Sequence, residues 1–235
     1  MKRPIFVENQ IYHILNRGTD KRKIFINDND RFRFIHSLFE FNDSNPAANI
    51  YYKKDKFQSY EVGLRKIETE KHPRKLLVKI LAFCLMSNHF HLLLEQIQEK
   101  GITKFMRKLG TGYTNYFNKK YNRDGVLFQG KFKTVIIEEE KHFLHLPYYI
   151  HANPLYQIEP KWDKKIISNP KNSITFLNTY RWSSHLDYCG QKNFPSLTDR
   201  NLLLKFFGGE KNYQKDFTDW IENINLDYIK SVSLE

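Results

Sequence analysis

Leu76-Leu77-Val78-Lys79-Ile80-Leu81-Ala82-Phe83-Cys84-Leu85-Met86 is followed by Ser87-Asn88 and then by His89-Phe90-His91-Leu92-Leu93-Leu94-Glu95. The first run is β-prone and apolar enough to be a central strand, buried on both faces. Ser87-Asn88 is a turn, and His89 to Glu95 is the returning strand. A hairpin with one long apolar strand therefore stands at the centre of the chain.

Upstream, Ile11-Tyr12-His13-Ile14-Leu15 is a short strand that Asn16-Arg17-Gly18 closes. Asn27 to Asp30 supply helix-capping side chains. Phe34, Ile35, Leu38 and Phe41 then recur at helical spacing, which predicts a helix over 29–42. Residues 43–74 are polar and mixed and read as an insertion or long loop. Downstream, Ile102, Phe105, Met106, Leu109, Tyr113, Tyr116 and Phe117 form one stripe of a helix over 101–121. A fourth strand is expected over Val126 to Ile137. Glu138 to Glu140 favour a helix start, because acids suit the positive end of the helix dipole, and Pro154 ends that helix after Asn153.

The order β-α-β-β-α-β is that of the ferredoxin-like split β-α-β arrangement, an α+β fold. The last predicted helix would pack against its sheet. This gives a domain over 1–158 and a C-terminal appendage over 159–235, mostly helical, with Tyr180 to Ser184 and Leu202 to Phe207 as its ordered-looking segments.

Composition narrows the class. The chain has 235 residues, 40% of them hydrophobic, with 19 Phe, 14 Tyr and 3 Trp. That is enough apolar surface for a core and excludes a wholly disordered chain. Lys79 interrupts the longest apolar run, which is too short to span a bilayer. Met1-Lys2-Arg3-Pro4 does not open a signal peptide. Cys84 and Cys189 form no CxxC pair, so a disulfide scaffold and a cysteine zinc site are not expected, and the expected setting is a reducing cytosol.

Lys and Arg number 38 against 26 Asp and Glu, a net charge of +12. Such an excess favours a polyanionic partner through phosphate contacts and counterion release. It is unevenly spread. Between 100 and 123 stand Lys100, Lys104, Arg107, Lys108, Lys119, Lys120 and Arg123 with no acid. Residues 201–235 are slightly acidic. For any one such cluster taken alone, a solvated helix face or loop is the commoner reading.

Two local features carry chemistry. In His89-Phe90-His91 the strand period places both imidazoles on one face, where they can share a divalent cation. A bare HxH is also what two unrelated histidines look like. In Tyr149-Ile150-His151-Ala152-Asn153, Tyr149 and Asn153 lie one helical turn apart. An Asn carbonyl oxygen is a hard ligand, and a phenol with a pKa of about 10 is a nucleophile once a metal or base assists it. By position alone Tyr113, Tyr116 and Tyr148 compete with Tyr149 for that role.

Five ordered stretches together resemble the single-tyrosine, HUH-type transposases, and among them the REP-associated tyrosine transposase group of the IS200-like family. They are Tyr12-His13 through Asn16-Arg17-Gly18 to Ile24-Phe25; Met86-Ser87-Asn88-His89-Phe90-His91-Leu92-Leu93; Tyr113 through Tyr116-Phe117-Asn118; Arg123-Asp124-Gly125-Val126-Leu127-Phe128-Gln129-Gly130-Lys131-Phe132; and Tyr149-Ile150-His151-Ala152-Asn153-Pro154. Tyr180-Arg181-Trp182-Ser183-Ser184 is similar to a segment that longer members carry.

The resemblance implies a ferredoxin-like fold, His89, His91 and Asn153 as ligands of Mg²⁺ or Mn²⁺, and Tyr149 as nucleophile. The implied activity is nicking and strand transfer of single-stranded DNA, hairpin-flanked, through a 5′-phosphotyrosine link. The implied assembly is a monomer or a homodimer. Asn16, Arg17, Arg107, Lys108, Lys131 and Lys133 are the candidate DNA contacts. Two positions depart from the family pattern: Ser87 stands where Pro is usual, and Pro147 lies inside the tyrosine helix, where it is expected to kink the helix or set its start. Two other readings are a domesticated protein that binds single-stranded DNA or RNA without cutting, and a metal-dependent hydrolase in which Tyr149 only packs.

Overall fold

The computed structural model describes residues 4–45, 73–164, 166–224 and 230–234. Its centre is a four-stranded antiparallel sheet of β1 (Ile11–Arg17), β2 (Val78–Leu85), β3 (His89–Gln96) and β4 (Lys133–Ile137). The spatial order is β2-β3-β1-β4. Helix α1 (Asp28–Glu40) joins β1 to β2, and α2 (Gly101–Lys120) joins β3 to β4. This is the split β-α-β order expected from the sequence.

Local chemistry places the helices. The Asn27 side chain accepts from the Asp30 backbone N–H, while the Asp30 carboxylate accepts from that of Asn27, a reciprocal cap. Asp30 is fully buried and also accepts from Lys120 Nζ at 2.5 Å and Tyr121 Oη at 2.7 Å, which ties the start of α1 to the end of α2. Gly112 lets the two helices meet closely. A Cβ there would lie 2.4 Å from the Phe41 ring.

The sheet has apolar packing on both faces. On one, Ile14, Phe90 and Leu92 meet Phe34 and Leu38 of α1 and Phe105 and Leu109 of α2. On the other, Cys84 and Leu93 share a core with α3 (Glu140–Ala152), Leu155 and Trp162. Each such fully buried side chain contributes about 1.5–3 kcal/mol relative to exposure. Helices α4 (Pro170–Leu177), α5 (His185–Tyr188), α6 (Asn201–Phe207) and α7 (Glu210–Glu222) contribute Leu177, Tyr188, Leu203, Tyr213 and Phe217 to this second core. Between α4 and α5 the chain runs along β2: the Leu85 N–H donates to the Trp182 carbonyl at 2.8 Å and the Ser184 N–H to that of Phe83 at 3.0 Å.

Several expectations shift. The fourth strand begins at Lys133 rather than at Val126. Gly125 and Gly130 take φ of +82° and +65°, which a strand does not accommodate, and residues 126–132 form a loop touching the sheet through a Gly18–Phe128 bridge. Pro147 neither opens nor ends α3, which runs through it. Residues 46–72 of the expected insertion lie outside the described residues. Among those described, no helix is long and apolar enough to cross a membrane.

Candidate active site

His89 and His91 both project from β3 on the face that packs against α3, while Phe90 enters the opposite core. Their ring centroids are 5.1 Å apart. His91 is fully buried and His89 half-buried. Tyr149, also fully buried, meets His91 edge-on at 6.1 Å between ring centroids with the planes perpendicular. The ring contact forms within one chain.

The other three tyrosines go elsewhere. Tyr113 Oη donates to the Ile24 carbonyl at 2.7 Å and Tyr116 Oη to Asp30 at 3.0 Å, both beyond the opposite face of the sheet. Burial, with the charge of Asp30, pushes the Tyr116 phenol up to about 12. Tyr148 stacks on Phe207 at 5.1 Å between ring centroids, and burial followed by the charge of Asp216 pushes its phenol up as well.

Hydrogen bonding fixes the tautomer of each histidine. His13 Nδ1 lies 2.7 Å from the Val232 carbonyl, which can only accept, so Nδ1 carries the proton. In neutral His13 the other nitrogen, Nε2, is then an acceptor. It lies 2.9 Å from His91 Nδ1, which must donate, and this leaves the lone pair of His91 on Nε2. His89 Nδ1 similarly donates to Asn88 Oδ1 at 2.7 Å, leaving its lone pair on Nε2. Backing ring nitrogens in this way orients imidazole ligands and raises their basicity.

Asn153 follows α3 directly. Its Nδ2 donates to the Tyr149 carbonyl at 3.0 Å. Its Oδ1 is buried with no hydrogen-bond partner among the described residues. A buried acceptor left without a donor costs about 1–3 kcal/mol, and a hard cation is one way to satisfy it. Two imidazoles with Nε2 lone pairs and one such amide oxygen are donors of the kinds a divalent ion takes. No group of three or more His, Cys, Asp or Glu side chains able to hold a metal occurs among the described residues.

Behind Tyr149 runs a buried polar chain that the sequence does not single out. His185 Nε2 lies 3.0 Å from Asn178 Oδ1 and donates to it, so His185 Nδ1 accepts from Tyr213 Oη at 2.9 Å. Tyr213 Oη in turn accepts from His151 Nδ1 at 2.7 Å. His151 Nε2 then accepts from Ser184 Oγ at 2.7 Å, and Ser184 Oγ accepts from the Phe83 N–H at 3.0 Å. Every link runs in one direction with both histidines neutral. Burial depresses both, His185 to about 3. The chain ties α3 to β2, α5 and α7.

The candidate DNA contacts divide. Asn16, Arg17, Lys131 and Lys133 line one cleft at the end of β1. Arg107 and Lys108 lie on α2, across the sheet from His89 and His91. Lys108 Nζ donates to the carbonyls of Asp43 at 2.5 Å and Asn45 at 2.7 Å, so it also braces the chain after α1. His13, Gln129, Ser184 and Tyr213 are the residues that reading by position missed. His13 shares the two-residue period of Leu15 and Arg17, Gln129 and Ser184 stand in stretches that carry the resemblance, and Tyr213 left no signal.

The family described as "Transposase IS200 like" matches residues 52–153, a stretch that holds His89, His91, Tyr149 and Asn153. Over this stretch the chain is similar to the IS200-like transposases. A solved structure of a REP-associated tyrosine transposase bound to a REP hairpin has a similar fold. The TM-score is 0.50 at 12% identity, over 83% of this chain and 88% of that one. A search of curated proteins finds no match. The IS200-like stretch spans β2 to α3, and β1, which completes the histidine relay through His13, lies upstream of it.

Proposed function

We propose that this transposase nicks and transfers single-stranded DNA, hairpin-flanked, through a covalent 5′-phosphotyrosine link at Tyr149. The observation that carries the reading is the His91–Tyr149 ring contact within one chain, with the unsatisfied Asn153 oxygen one turn further on. His89, His91 and Asn153 would hold Mg²⁺ or Mn²⁺. When bound, such an ion polarises the scissile phosphate and offsets its charge.

The chain's own groups do the rest. Tyr149 Oη forms a bond to phosphorus as the bond from phosphorus to the 3′ oxygen breaks. The phenol gives up its proton and the departing 3′ oxygen takes one up, leaving a free 3′ hydroxyl. A phosphodiester is exchanged for a phosphodiester, so a second 3′ hydroxyl can reverse the step and join a new strand.

The test is a denaturing gel of protein incubated with labelled hairpin-flanked single-stranded DNA and Mg²⁺ or Mn²⁺. A covalent adduct that Tyr149→Phe abolishes is expected. Cleavage without adduct would indicate a hydrolase, and binding without cleavage a domesticated binder. An adduct that survives Tyr149→Phe would overturn the nucleophile.

A further inference from the structure

The end of β1 joins two rows of side chains. Leu15 pairs with His91 on one side and with Lys133 on the other, and Arg17 pairs with His89. Directly paired residues project from the same face. His91, Leu15 and Lys133 thus form a line across three strands, with His89 and Arg17 beginning a second line beside it. At a strand spacing of about 4.8 Å, Lys133 stands about 10 Å from His91.

Where the second line would continue, the 126–132 loop takes over. The Gln129 N–H donates to the Arg17 carbonyl at 2.8 Å. Gln129 Oε1 accepts from Arg17 Nε at 2.6 Å, which holds the planar guanidinium by its inner edge and leaves the two terminal amino groups to other acceptors. A cavity of about 240 Å³ results, lined by Leu15, Asn16, Arg17, Gln129, Lys131 and Lys133. Three cations and two amides surround it, with no carboxylate among the described residues that line it. Lys133 Nζ donates to the Leu234 carbonyl at 3.2 Å, an oxygen acceptor of the kind that a phosphate also presents.

We propose that this cleft is a phosphodiester subsite for a nucleotide beside the cut, with Gln129 positioning Arg17. The DNA strand then crosses the end of the sheet transverse to its strands, from His89 and His91 over Leu15 to Lys133. The inference rests on the reading of the histidine pair as the scissile-phosphate site and adds the direction in which the strand leaves it.

The experiment measures affinity, not cleavage. Hairpin-bearing oligonucleotides carry one neutral methylphosphonate at each successive position counted from the hairpin foot. Dissociation constants without added metal are compared for the intact protein, Lys133→Ala and Gln129→Ala. Both side chains are exposed, and circular dichroism checks folding. At one position near the cut, methylphosphonate and Lys133→Ala should each weaken binding about tenfold, and together no more than either alone. Gln129→Ala should couple to that same position more weakly, and Lys133→Ala should lower the slope of log Kd against log salt by about one. Losses that add at every position, or coupling to a phosphate within the hairpin stem, would overturn the subsite while leaving the nicking reading intact. Absence of DNA binding by the intact protein would overturn both.

Discussion

His13 Nε2 reaches His91 Nδ1 at 2.9 Å along a diagonal of the sheet, since the ladder pairs His13 with Leu93 and His91 with Leu15. A strand that contributes none of the expected metal ligands therefore sets the tautomer of one. The Val232 carbonyl, 219 residues away in sequence, anchors the relay.

Replacing His13 by Phe should raise the Mn²⁺ concentration needed for half-maximal nicking by about 10- to 100-fold, the usual cost of losing a partner that orients a ligand. Metal-free affinity for DNA should stay within about twofold of the intact protein. A metal titration of single-turnover cleavage measures the first and fluorescence anisotropy the second.

Ser184→Ala leaves the Phe83 N–H and His151 Nε2 without their partner in the core. Tyr213→Phe removes a hydroxyl that serves two histidines at once. Each should lower unfolding stability by about 1–3 kcal/mol, read as a lower urea midpoint at unchanged slope. The double variant should lose less than the sum, because both cut one chain of bonds.

The buried histidines give the fold an acid limit. Burial holds His185 at about 3 and His151 well below 6.5 in the native state. Unfolding returns both to about 6.5, so below that pH the unfolded chain binds more protons. Stability is then fully present above pH 6.5 and falls as the pH drops from there toward 3, by up to about 1.4 kcal/mol per pH unit for each histidine. Urea midpoints across this range test it, and His185→Gln should flatten the slope.

Gly112→Val should destabilise the protein by about 1–3 kcal/mol despite the better helix propensity of Val over Gly, since the added atoms meet the Phe41 ring. Gly110, where a Cβ meets nothing within 4 Å, is the control, and Gly110→Ala should be neutral or stabilising. Thermal midpoints of the two variants decide it.

The sheet and its first two crossovers were legible because their apolar runs are long and change period cleanly. The strands at 78–85 and 89–96 and the helix at 101–120 fall where alternation and the helical stripe place them. The expected fourth strand is too long because Val126-Leu127-Phe128 is apolar and β-prone and Phe132 stands between Lys131 and Lys133 as in a strand. Glycines at positive φ break it, and φ is not written in hydropathy. In the site, the two-residue period was enough to put His89 and His91 on one face. Periodicity alone left Tyr149 level with Tyr113, Tyr116 and Tyr148, and only the family resemblance singled it out; which side of the sheet each tyrosine's helix covers is not written in the spacing. The Ser184–His151–Tyr213 chain was illegible for a related reason: its partners lie 33 and 62 residues apart with no shared period.

The segment at 182–184 has a consequence for solubility. β2 is the outer strand on its side of the sheet and almost wholly apolar; the Asn42 side chain bonds its start at Val78, the Asp199 N–H its Ile80 carbonyl, and this segment its end. Such an edge invites another strand to add to it, and covering it with chain from the same molecule is a recognised protection against aggregation. The bonds at Phe83 and Leu85 and the Cys84–Ser183 bridge supply that cover. A chain cut back to residue 158 would keep every candidate catalytic side chain and the Asn42 cap at Val78, yet present the edge from Ile80 to Leu85 bare, so it would associate through β2.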